Sequence, residues 1–127
     1  MAHGSSRAAP PGPACTVGRD LWFRRAEDGT VVLGLTEAAQ QRAGPISHFR
    51  GPSPGRTYRA GEPALSLESE KWVGHLALPV EGTVVATNAL AERDPSTINH
   101  DPYGAGWLFR MRERDPGSLD ALIGAPA

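Results

Sequence analysis

The chain has 127 residues and a formal net charge of -1 at pH 7, from 13 Lys and Arg against 14 Asp and Glu. That length fits one domain, and the charge balance offers no general attraction to nucleic acid or to an anionic membrane. Fifteen glycines and twelve prolines describe a chain broken by turns and exclude a helical bundle, while the single Cys15 excludes an internal disulfide framework and a thiolate-rich metal site.

Residues 1–15 include Pro10, Pro11 and Pro13, which deny the segment helix and sheet ladder alike, so a disordered leader is expected. The leader lacks the apolar run of a secretory signal, and no stretch approaches the ~20 apolar residues of a membrane span. A cytoplasmic protein is the expectation. Residues 16–127 are expected to form a single domain. Its first strands, over residues 22–25 and 30–35, flank Glu27-Asp28-Gly29, in which Asp-Gly is a hairpin signal. Thr36 is placed to cap a helix over residues 37–43, ended by Gly44-Pro45. A strand over residues 46–49 then runs into the turn cluster at residues 51–55.

The most informative pattern comes next. Leu65 and Leu67 alternate with polar residues, and Leu76 and Leu78 do the same beyond a polar stretch centred on Glu70-Lys71. With those two residues at the corner of an antiparallel hairpin, Leu65 faces Leu76 and Leu67 faces Gly74. All four leucines then share one face, whereas a slip of one residue would put half of them in water. Lys71 is therefore predicted at a hairpin tip.

Strands follow over residues 82–86 and 107–111, with a helical turn over 88–92 between them. Gly-Thr-Val-Val occurs at Gly29 and again at Gly82, as in a sheet of two similar halves. Ser118 is read as the cap of a last short helix through Leu119, Leu122 and Ile123, stopped by Gly124 and Pro126. The fold class is mainly β, with two or three short helices.

Most searches for chemistry fail. His3, His48, His75 and His100 lack metal-ligand spacing, with each other or with Cys15, so no metal site is expected. Gly104-Ala105-Gly106 lacks the third glycine of a dinucleotide loop and reads as a tight turn before Trp107. Asp94 and Asp101 flank prolines, where short acids make turns. No acid, base or nucleophile set converges, so no catalytic residue is assigned. Lys71 stands apart, because an amine held out between two strands is accessible to an acylating enzyme.

Four blocks point to a family. Glu68-Ser69-Glu70-Lys71 resembles the lipoyl-lysine motif of the glycine cleavage H proteins. Residues 28–36, DGTVVLGLT, resemble the early strand and helix start of that family, and Ala60-Gly61-Glu62 the step before its lipoyl hairpin. Residues 98–108, INHDPYGAGWL, resemble its most distinctive late motif. The blocks align without a gap from about residue 22 to 112.

The resemblance implies a lipoyl/biotinyl-type flattened β-barrel, a two-sheet sandwich, with lipoate amide-linked to Lys71. Glu68, Ser69, Glu70 and Trp72 form the attachment hairpin. Lipoate is favoured over biotin because the biotinyl relatives flank their lysine with methionines. It further implies a non-catalytic, monomeric carrier charged by a lipoyl ligase or lipoyl transferase. Its partners would be glycine decarboxylase, aminomethyltransferase and dihydrolipoyl dehydrogenase, and its cargo an aminomethyl group.

The departures cluster where the cargo docks. The family has His-Glu-Trp where this chain has Asp20-Leu21-Trp22, and Ala-Ala-Ser-Asp where it has Trp72-Val73-Gly74-His75. Residues 47–51 also replace an apolar-acidic stretch. The cargo-cleft candidates are therefore Asp20, Leu21 and His75. Losing a charge-assisted bond to a cationic cargo costs ~1.5–3 kcal/mol per contact. This suits an alternative, an H-like lipoyl protein of dithiol-dependent sulfur oxidation with a heterodisulfide-reductase-like complex as partner. A third reading is an unmodified interaction module that has kept the fold.

Overall fold

The hairpin register follows the leucines. In the computed structural model, which describes residues 15–126, strands β6 (Pro63–Ser69) and β7 (Val73–Ala77) pair antiparallel with Leu65 opposite Leu76 and Leu67 opposite Gly74. Leu65, Leu67 and Leu78 are buried and Leu76 packs against the same core. The corner is Glu70-Lys71, as that register demands. With β4 (Ile46–Arg50) on the other side of β6, these strands form the smaller sheet, in the order β4-β6-β7.

The larger sheet has seven strands in the order β10-β1-β2-β3-β9-β8-β5. They are β1 (Cys15–Val17), β2 (Leu21–Arg25), β3 (Val31–Leu35), β5 (Thr57–Tyr58), β8 (Gly82–Thr87), β9 (Phe109–Glu113) and β10 (Ile123–Pro126). One core joins the two sheets into a sandwich: Leu33, Phe109 and Met111 from the larger meet Phe49, Leu65 and Leu67 from the smaller. The expected mainly β, two-sheet fold is thus the fold found.

The repeated tetrapeptide has a spatial meaning. Both copies flank β9, and Val31 and Val84, at matching places in the repeat, both sit opposite Met111. The two similar halves meet along that strand.

The helices are α1 (Glu37–Ala43), α2 (Ala89–Arg93) and α3 (Ser96–His100). Helix α1 has the predicted bounds, and the Thr36 side chain accepts from the Ala39 amide as an N-cap should. Gly44 follows with φ 76 and ψ -164, a backbone conformation that glycine adopts readily because it has no Cβ, and the helix ends there. Asn88 caps α2 by accepting from Leu90 N.

A second apolar cluster lies apart from the main core. Trp22, Val32 and Trp107 pack there with Ala86 and Tyr103. The Trp22 indole donates to the Pro102 carbonyl at 2.9 Å, and its ring lies against Gly34, where an added Cβ would stand 2.4 Å from it. Gly34→Ala is therefore expected to lower stability by about 2 kcal/mol through overpacking, read as a shifted urea midpoint with an unchanged slope.

Three local expectations need correction. Cys15 was assigned to the leader but lies in β1, paired with Phe23 and Pro126; residues 1–14 lie outside the described residues. The last helix is a 3₁₀ turn over Ser118–Leu122, and Ile123 begins β10 instead of continuing it. Ser118 is not its cap: Gly117, at φ 87, takes that position, and the Ser118 hydroxyl reaches Glu113. No helix among the described residues is long and apolar enough to cross a membrane.

Candidate functional site

The turn at the tip is closed by Ser69, whose amide and hydroxyl both donate to the Trp72 carbonyl, at 2.7 and 3.1 Å. Lys71 is exposed. Its backbone is nonetheless anchored: the Lys71 amide donates to Ala43 O at 3.3 Å and the Glu70 amide to Pro45 O at 3.4 Å. The corner therefore rests on the C-terminal end of α1.

Helix α1 is in turn held at both ends by the late motif. At its start, the Tyr103 hydroxyl accepts from the Glu37 amide at 2.9 Å. At its end, Asn99 Nδ2 donates to Gln40 Oε1 and to Gly44 O, while its Oδ1 accepts from Ile46 N. Such bonds are worth ~1 kcal/mol each. Residues 98–108 thus splint the helix that carries the tip. The Gly104–Gly106 stretch is the tight turn expected, with the Asp101 carboxylate accepting from Ala105 N.

Beside Lys71 opens a cleft of about 320 Å³, at the small end of the ~300–1,000 Å³ typical of small-molecule sites. Leu35, Leu67 and Leu76 give it an apolar floor, and Ala39 and Ala43 on α1 form one wall. Trp72 forms part of the rim. It is 38 % exposed, and its ring folds back over Gly74, where an added Cβ would come within 2.8 Å of it. Gly74 is what lets that indole lie flat on the hairpin.

The polar groups of the cleft are Arg19, Asp20, Arg42 and Lys71. Arg42 donates to Asp20 Oδ1 at 2.6 Å, joining the last turn of α1 to the turn before β2. Of the three sequence-predicted cleft residues, only Asp20 lines it. Leu21 is buried in the main core beside Phe23. His75 is exposed on the opposite face of β7, because strand alternation sends it away from the side that Gly74 and Leu76 occupy. Glu68, Ser69 and Glu70 belong to the hairpin and do not line the cleft.

Arg19 and Arg42 were missed from sequence. The available signal was Ala39 and Ala43, four apart on a predicted helix, which mark a face packed closely enough to bring Arg42 to the same opening. Among the described residues no three His, Cys, Asp or Glu side chains gather as a metal site would require.

Comparison with known proteins agrees with this architecture. The family described as Glycine cleavage H-protein matches residues 16–127. Glycine cleavage system H protein 2 of Aquifex aeolicus is 41% identical over 114 residues, covering 84% of this chain and 69% of its own. The glycine cleavage system H protein of Thermus thermophilus is 39% identical over 99 residues, covering 78% and 77%. A crystal structure of the glycine cleavage system H protein from Mycobacterium marinum superimposes with a TM-score of 0.75 at 35% identity, covering 87% of this chain and 91% of that one. The chain belongs to the glycine cleavage H-protein family of non-catalytic lipoyl carriers.

Proposed function

We propose that Lys71 bears lipoate in amide linkage and that the chain presents the arm's cargo to successive partner enzymes. The observation that carries this is the position of Lys71, an exposed amine at an anchored two-residue corner beside an apolar cleft. Leu35, Leu67 and Leu76 suit the hydrocarbon and sulfur of a lipoyl group, and Trp72 adds a polarisable face at the rim. Lipoate, once attached, supplies the dithiol that takes up and releases cargo. The chain's own residues hold the attachment point still, exclude water from the floor and set the charge at the mouth.

A lipoyl ligase or transferase would attach the group. Glycine decarboxylase, aminomethyltransferase and dihydrolipoyl dehydrogenase are the partners that family membership supports, with an aminomethyl group as cargo. A second reading, sulfur cargo and a heterodisulfide-reductase-like partner, is supported by one observation: Asp20, the carboxylate that lines the cleft, is already held by Arg42. Intact mass after ligase treatment tests the carrier reading, with one lipoyl group added at Lys71 as the expected result. Incubation with glycine and glycine decarboxylase then separates the cargoes. A loaded arm supports glycine cleavage, and an unloaded arm beside a loaded control H protein supports sulfur.

A further inference from the structure

The charges around the cleft do not suit a cation. We propose that Arg42 is a specificity-determining residue that reads the cargo, and that the cleft accepts an arm whose loaded end is an oxyanion while leaving a cationic end in solvent. This rests on the carrier reading of Lys71 and names the class of cargo that reading leaves open.

Acylation removes the charge of Lys71. The cleft lining then holds Arg19 and Arg42 against Asp20 alone, one positive charge in excess. The tip's own Glu70 lies against Gly44 and is absent from the lining. An ammonium end could share Asp20 through Oδ2, since Arg42 binds Oδ1, but it would sit beside two guanidinium groups over an apolar floor. An oxyanion meets the opposite situation. Arg42 and Asp20 have side chains 48% and 40% exposed, and pairs so exposed are weakly held and exchangeable. A carboxylate or sulfur oxyanion at the end of the arm replaces Asp20 as the partner of the Arg42 fork, a geometry that guanidinium groups favour. Asp20 acts as the resident stand-in, engaging Arg42 when the arm is empty.

The test uses three free probes: dihydrolipoamide S-alkylated with a carboxymethyl, a carbamoylmethyl or an aminoethyl group. Each is titrated into full-length Lys71→Gln protein, whose tip is neutral, as an acylated lysine is. Binding is followed by the change in tryptophan fluorescence, assigned to Trp72 because Trp22 and Trp107 lie in a separate cluster away from the cleft, and by the amide resonance of Arg42. The anionic probe is expected to bind about tenfold or more tighter than the cationic one, with the neutral probe between. Arg42→Gln should erase that order and Arg42→Glu invert it, with circular dichroism confirming that both variants fold. Equal or tighter binding of the aminoethyl probe overturns the proposal. So does an order that survives Arg42→Gln, or binding by none of the three. Because the probes are not attached to the chain, the two readings fail separately. A Lys71 that a ligase leaves unmodified ends the carrier reading without altering the probe order, and a failed order leaves lipoylation at Lys71 untouched.

Discussion

Lys71→Arg is expected to fold as the parent does and to gain no mass from a lipoyl ligase that charges the parent to completion. The side chain is exposed and takes part in no hydrogen bond or ion pair among the described residues, so its replacement should move stability by no more than about 0.5 kcal/mol. The backbone amide that donates to Ala43 O is the same in both proteins. What changes is nucleophilicity. An amine can lose its proton and attack an activated acyl group, whereas the delocalised guanidinium stays protonated and does not. A charged arginine variant, or acylation of the parent at any other position, would refute the assignment of Lys71.

The second large effect lies at Glu113. Its side chain is 2% exposed, and its carboxylate accepts from both terminal guanidinium nitrogens of Arg25 and from the amides of Gly117 and Leu119. Burial alone would raise its pKa, but the Arg25 bond and those two amides outweigh it and hold the group at about 2 against an ordinary 4.5. A carboxyl depressed in the folded state stabilises the fold above its unfolded pKa and loses that contribution as pH falls through the folded value. The window here runs from about pH 4.5 down to about 2, and the difference corresponds to roughly 3 kcal/mol. Glu113→Gln should therefore cost about 3 kcal/mol at neutral pH, a fall of about 10 °C in Tm. Its midpoint should also be flatter than the parent's across that acid window. An unchanged midpoint, or a parent-like acid slope, would show that the carboxylate does not hold the 3₁₀ turn to β9.

How much of this was legible in the chain depended on the range of the interaction concerned. The hairpin and its corner could be read because a period of two, four leucines and one buried face admit a single register. Helix α1 could be read because Thr36 and Gly44-Pro45 are local signals that act within one turn. Strands β1, β5 and β10 could not, since each is two to four residues long and exists only through partners far away in sequence. Helix α3, five residues without a side-chain cap, gave no local sign either. At the site, Lys71 and Asp20 line the cleft, whereas Leu21 lies in the main core and His75 on the far face of β7. Strand alternation fixes which face a position presents, whatever residue fills it, and the motif's spacing does not show which face borders the cleft. Arg42 was harder to find, because the one local sign was the Ala39–Ala43 spacing and its partner is a turn 22 residues away, brought close only by packing.

The two backbone hydrogen bonds from the tip, to Ala43 at the end of α1 and to Pro45 just beyond it, have a consequence for traffic among enzymes. With lipoate on Lys71, as proposed, they fix the pivot of the arm to the body of the protein, so the distance cargo travels is set by the bonds of the arm alone and not by bending of the hairpin. The volume swept is bounded, and within it the effective concentration of cargo is high for any active site that enters. Outside that volume it is zero. A partner must therefore bring its catalytic entrance to the edge where α1 meets the hairpin, and an enzyme that docks on the far sheet receives nothing, whatever its chemistry. Position sorts the partners before reactivity does.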